Sequence, residues 1–135
     1  MNRRRWAIVG ALLVASVAAG YFSAGDRRSG TTTVVTVRVP VLSAEARAGR
    51  EAFDRLCAGC HGANAAGSQA GPPLVHPIYR PAHHADVAFT LAVQRGVPRH
   101  HWRFGDMPPL PPARAPDIQV IVQYIRELQR ANGIE

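Results

Sequence analysis

Cys57, Cys60 and His61 stand in the order C-x-x-C-H, and Cys57 and Cys60 are the only cysteines of the chain. This is the covalent attachment signature of c-type haem. Two thiols three residues apart at a helix end reach the two vinyl groups of one macrocycle. The adjacent imidazole then falls beneath the iron as the proximal ligand. Three other chemistries use part of the same pattern. A dithiol redox pair belongs in a βαβ setting, and no such pattern is present. A zinc site needs four ligands, which His61 and a second histidine would complete. Two merely buried thiols are a poor fit, because an exported pair this close would be oxidised or used.

A second axial ligand should lie well downstream and be soft or nitrogenous. Met107, in Gly105-Asp106-Met107-Pro108-Pro109, is the candidate distal ligand, and the only other methionine is Met1. Proline after methionine stiffens the loop that presents the thioether. Trp102 lies five residues earlier. Its indole N–H is a donor for a haem propionate, and its ring is packing for a haem pocket; the two roles are compatible. Five further imidazoles, His76, His83, His84, His100 and His101, are a high number for a small domain. One of them as sixth ligand in place of Met107, a copper or zinc site on the adjacent pairs, and hydrogen bonding to propionates with proton coupling are the functional readings. Loop histidines bonded to backbone carbonyls are the simpler reading and the favoured one.

These groups need elements to hold them. The chain has 135 residues with 47% hydrophobic and 19% charged, which excludes a disordered or collagen-like chain and leaves room for one small domain. Ser43 caps a helix running from Ala44 to about Leu56, with Glu45 in its first turn. Gly49, Phe53 and Leu56 share one face of it. Asp86 caps a second helix that stops at Gly96, with Val87, Leu91 and the Ala88/Ala92 pair at helical spacing. Asp117 caps a third, in which Ile118, Ile121, Val122, Ile125 and Leu128 form one buried stripe before Asn132-Gly133. No stretch after residue 42 alternates with period two, so the domain is all-α. The segments between are rich in Pro and Gly, from Gly71-Pro72-Pro73 to Pro111-Pro112. Three modest helices make a thin core, and a covalently held haem would supply the missing interior.

The N-terminus concerns location. Arg3, Arg4 and Arg5 precede an uncharged 17-residue run from Trp6 to Phe22. The arginines stay cytoplasmic, so the rest of the chain should face the periplasm. An uncleaved membrane anchor over 1–22 is preferred, because the run exceeds an ordinary signal core and has Trp6 and Tyr21-Phe22 at its ends. A cleaved signal ending near Ser16-Val17-Ala18 is the alternative. Residues 23–42 read as a flexible linker and 43–135 as the folded domain. The net charge of +7 is uneven: residues 1–42 carry +5 and the remainder only +2. No basic stripe is left for a phosphate backbone, so nucleic acid is not an expected partner.

With these residues in view, the chain from about Ser43 to Ala131 resembles the small monohaem class I cytochromes c. The resemblance rests on C-x-x-C-H, on Gly49 and Phe53 eight and four residues before the first cysteine, on Gly71-Pro72-Pro73-Leu74, on Met107-Pro108, and on Ile121 with Tyr124. It implies an all-α fold of three main helices around one covalently bound haem c, with thioether bonds to Cys57 and Cys60 and His61 and Met107 on the iron. It also implies that the Pro72 carbonyl holds the His61 N–H, and that the last helix crosses the first at Gly49. That family often carries a lysine ring at the haem edge; this chain has no lysine. Arg99, Arg103 and Arg114 beside the methionine loop are the replacement candidates for docking.

The expected function is a single-electron carrier and not an enzyme. Expected partners are a quinol-oxidising complex or a periplasmic dehydrogenase as donor and a terminal oxidase as acceptor. Two alternatives stay open at this point: a haem enzyme or sensor with an open distal site, and a copper- or zinc-handling haem protein built on the paired histidines.

Overall fold

The computed structural model describes residues 34–110, 113 and 115–135. The proposed anchor, the first part of the linker and Arg114 lie outside the described residues. Among the described residues four α-helices follow one another: α1 (Ala44–Leu56), α2 (Ala58–His61), α3 (Asp86–Arg95) and α4 (Ala115–Ala131), with 3₁₀ turns at Ala63–Ala65 and Pro77–Tyr79. The described residues contain no strand, only a single antiparallel bridge between Val97 and Met107. The fold is all-α, and among the described residues no helix is long and apolar enough to cross a membrane.

Helix α1 begins where a side chain satisfies one of its free N–H groups: the Ser43 hydroxyl accepts from Ala46 N at 3.1 Å. The same hydroxyl donates to Glu127 at 2.7 Å, so the cap also ties α1 to α4. Ala46, Gly49, Ala52 and Phe53 form the buried face of α1. Their spacing of three and four puts them on one stripe. That stripe meets Ile121, Tyr124, Ile125 and Leu128 of α4. Gly49 permits the crossing. A Cβ there would lie 1.9 Å from the Val120 carbonyl oxygen and 2.9 Å from Tyr124 Cβ, so only a residue without one lets the backbones approach this far. One turn on, Phe53 meets Tyr124 edge to face at 5.6 Å between ring centroids.

Two expected caps fall elsewhere. Helix α3 starts one residue earlier than a capping Asp86 would require; Ala85 is the cap and makes no side-chain bond. The Asp86 carboxylate instead accepts from Arg126 Nε at 2.8 Å. Helix α4 starts at Ala115, with Asp117 inside its first turn. Pro116 explains the earlier start, because proline is tolerated in the first helical turn, where its missing N–H is not needed. The expected apolar stripe of α3 also shifts. Val87 is 61% exposed, while Phe89 packs against the core.

The linker expectation changes over its last nine residues. Val35 N donates to Ala66 O at 2.9 Å. Arg38 and Asn132 exchange two bonds, Arg38 N to Asn132 Oδ1 and Asn132 Nδ2 to Arg38 O, both 2.9 Å. Leu42 is buried in the core cluster and Val37 packs against it. Residues 34–42 therefore lie on the domain as an extended strap. The β-branched composition suits extended backbone, and Asn132 at the end of α4 supplies the edge that a partner strand would otherwise provide.

Candidate functional site

Helix α1 stops at Cys57, whose N–H still bonds to Phe53 O at 2.8 Å. Helix α2 then carries Cys60 and His61. Cys57 is half-buried and Cys60 exposed, and they are not joined by a disulfide. Burial pushes the Cys57 thiol up to about 11, with Cys60 adding to the effect. Such a thiol is a poor thiolate at neutral pH, which disfavours the dithiol redox reading.

His61 is held by one backbone contact. Its Nδ1 lies 2.9 Å from the Pro72 carbonyl oxygen. A carbonyl only accepts, so Nδ1 carries the proton and Nε2 keeps its lone pair. Burial lowers the His61 pKa, and the bond to Pro72 offsets part of that; the ring is neutral at pH 7. Both effects leave a nitrogen ligand ready for a metal, fixed in orientation by the Gly71-Pro72-Pro73 turn.

Met107 comes from the far side of the sequence and is clasped by its backbone. Met107 N donates to Val97 O and Val97 N to Met107 O, both at 2.9 Å. Leu110 N donates to Val93 O at 2.8 Å, which ties the prolines after the methionine to the end of α3. Gly96 makes this approach possible. Its φ is 74° and ψ 178°, a region essentially limited to glycine. A Cβ there would lie 2.6 Å from the Met107 carbonyl oxygen. Gly96 is the helix stop that its position predicts, and it also makes a close contact with the methionine backbone that its position does not predict.

Cys57, Cys60, His61, Pro72, Trp102 and Met107 all line one cavity of about 470 Å³. Its remaining wall is mainly apolar, including Phe53, Leu74, Phe89, Ile121, Val122 and Ile125. Volume and lining suit a flat apolar cofactor. The donor set adds two thiols, a neutral imidazole and one thioether. The residues present therefore fit a covalently attached haem. Trp102 gives its indole N–H to the Tyr79 hydroxyl at 2.9 Å, so this donor is engaged within the protein. His84, His100 and His101 reach the cavity rim, whereas His76 caps the 3₁₀ turn, its Nδ1 accepting from Ile78 N at 3.2 Å. Arg99 and Arg103 are exposed beside the methionine loop.

Arg126 was not anticipated as part of the surroundings. It is 5% exposed, with its guanidinium 4.9 Å from the Phe89 ring centroid. It donates to Asp86, to Tyr79 O at 2.7 Å, to Gln129 Oε1 at 2.6 Å and to His84 O. One side chain thus binds α4 to α3, to the 3₁₀ turn and to the histidine turn. The signal was present: residue 126 falls four after Val122, on the stripe that the apolar residues mark as buried.

A family model described as Cytochrome c matches residues 46–129. Neither a curated protein nor a solved structure matches the chain.

Proposed function

This chain belongs to the cytochrome c family, and on that premise we propose that it carries single electrons through one haem c, with thioether bonds to Cys57 and Cys60, His61 as proximal and Met107 as distal iron ligand. The observation that carries this reading is the bond between His61 Nδ1 and the Pro72 carbonyl, because it fixes both the tautomer and the ring plane of the proximal imidazole. When bound, the haem supplies a one-electron ferric/ferrous couple. The chain does the rest. The apolar wall excludes water and lowers the local dielectric. The clasp at Val97 fixes the backbone from which the Met107 thioether would reach the iron. Two protein ligands leave no position for a substrate, which separates a carrier from a haem enzyme or gas sensor.

The arginine-flanked apolar run at residues 6–22 supports a single-pass anchor with the domain in the periplasm. A cleaved leader and a soluble periplasmic protein are the alternative. An anchored carrier stays near membrane redox complexes, which raises its effective concentration there. A quinol-oxidising complex or periplasmic dehydrogenase as donor and a terminal oxidase as acceptor suit that position.

Absorption spectroscopy of the exported protein in both oxidation states is the test. A sulfur-to-iron charge-transfer band in the oxidised protein, lost in Met107→Ala, is expected. A high-spin spectrum that responds to carbon monoxide or cyanide without mutation would refute the two-ligand assignment.

A further inference from the structure

His83 and His84 lie in the turn before α3, and His101 lies in the loop that leads to Met107. These two segments are distant in sequence, yet they bring three imidazoles together. One ligand nitrogen from each of His83, His84 and His101 lies within 4.8 Å of the others. The ring centroids are 4.6 Å apart for His83 and His84, 5.1 Å for His83 and His101, and 5.2 Å for His84 and His101. His100 stands beside them, 4.2 Å from His101 between centroids.

The backbone sets up two of these rings for coordination. His83 Nδ1 and His84 Nδ1 lie 2.9 and 2.8 Å from the same acceptor, the Ile78 carbonyl oxygen. Both therefore carry their proton on Nδ1 and leave the Nε2 lone pair free. Outer-sphere carbonyls orient metal-binding histidines in this way. The His100 Nδ1 is held similarly by Pro98 O at 2.9 Å. Desolvation lowers the pKa of His84, the Ile78 bond works against it, and the neighbouring imidazoles and Arg126 add to it; desolvation and the neighbouring imidazoles lower that of His101. The Arg126 charge is itself paired with Asp86 at 2.8 Å and so opposes a cation less. A turn held by Arg126 at the His84 carbonyl gives the site a firm base.

We propose that His83, His84 and His101 form a second metal site, separate from the haem iron, for one divalent ion of the zinc or copper(II) type. The chemistry is that of three neutral nitrogens with an open fourth position for water or His100. Tetrahedral zinc with nitrogen at about 2.0–2.1 Å needs ligand atoms roughly 3.4 Å apart. The present spread of up to 4.8 Å must therefore close by about 1.4 Å at most when the ion binds. The ion would link the turn before α3 to the methionine loop. This inference rests on Met107, and not one of these imidazoles, being the sixth iron ligand; absent Zn²⁺ binding with the sulfur-to-iron band intact tells its failure from a failure of that assignment.

The test uses the haem-loaded full chain, stripped with a chelator and titrated with Zn²⁺ against a chromophoric competitor. One ion per chain in addition to iron is expected. A His83→Gln/His101→Gln variant should lose more than about tenfold in affinity, and His83→Gln alone, at a residue that does not line the haem cavity, should weaken binding with its haem spectrum unchanged. His76→Gln, outside the cluster, should bind as the parent does. Cu²⁺ in a parallel titration should give an electron paramagnetic resonance spectrum with coupling to several nitrogens. No retained ion, or equal affinity in the double variant, overturns the proposal; so does a loss in His76→Gln as large as that in the double variant.

Discussion

Gly96→Ala is the sharpest single perturbation of the methionine loop. The glycine backbone, at φ 74° and ψ 178°, lies where an alanine costs about 1–3 kcal/mol on conformation alone. The new Cβ would also meet the Met107 carbonyl oxygen at 2.6 Å and Pro109 N at 3.0 Å. Both are backbone atoms, so no side chain can swing aside. Relief requires the loop to retreat and to give up the paired 2.9 Å bonds between Val97 and Met107. Each of those bonds contributes about 0.5–1.5 kcal/mol. Strain and lost bonds are partly exclusive, so a net destabilisation of about 2–4 kcal/mol is expected. With Met107 as the proposed distal ligand, its thioether should leave the iron first, because it rides on the displaced backbone. Guanidinium unfolding of the haem-loaded variant gives the energy, and the sulfur-to-iron absorption band reports the ligand. A variant with the band intact and stability within about 0.5 kcal/mol of the parent would refute the role of Gly96 as the spacer beneath Met107.

Other outcomes follow from the packing. Arg126→Ala leaves Gln129 Oε1 and the His84 carbonyl without the donor they now have, while Tyr79 O retains Gln129 Nε2 at 3.2 Å. At about 1–3 kcal/mol for each orphaned acceptor, chemical denaturation should show a loss of about 2–5 kcal/mol, only partly restored by lysine. Gly49→Ala should cost about 1–3 kcal/mol or more in the same assay, since its Cβ has nowhere to go between α1 and the Val120 carbonyl. Burial alone would raise the Glu127 pKa, but bonds from Ser43 and Gln123 and the nearby Arg130 bring it below the ordinary 4.5. A carboxylate with a lowered folded pKa stabilises above its unfolded value and loses that stabilisation as pH falls through the folded one. The parent should therefore weaken more than Glu127→Gln as pH drops below about 4.5, a difference that acid titration of stability measures.

Local features of this chain were readable because they depend on neighbours in sequence. Ser43 sits three residues before the N–H it caps, and Phe53 lies four after Gly49, so both follow from helix geometry. The His61–Pro72 contact was expected from the family resemblance, and the turn at Gly71 brings it about. What sequence reading missed is set by distant partners. Asp86 has the right type for a cap, but Arg126, forty residues away, takes its carboxylate. Val34–Leu42 has the composition of a tether, yet Asn132 supplies the hydrogen bonds that hold it to the domain. The histidine pairs were visible as pairs; that His101 would meet His83 and His84 depends on how two proline-bounded loops close.

The paired bonds between Val97 and Met107 have a further consequence. They pinch off residues 98–106 as an excursion with a closed neck. Whatever happens at the crown of that excursion is insulated from the neck, because the two ends are already joined. Natural variation or laboratory grafting can therefore rewrite the crown, including His100 and His101, while the sulfur stays where it is. The proposed metal site, which takes His101 from the excursion, and the proposed iron ligand Met107, which stands at its neck, can therefore change separately.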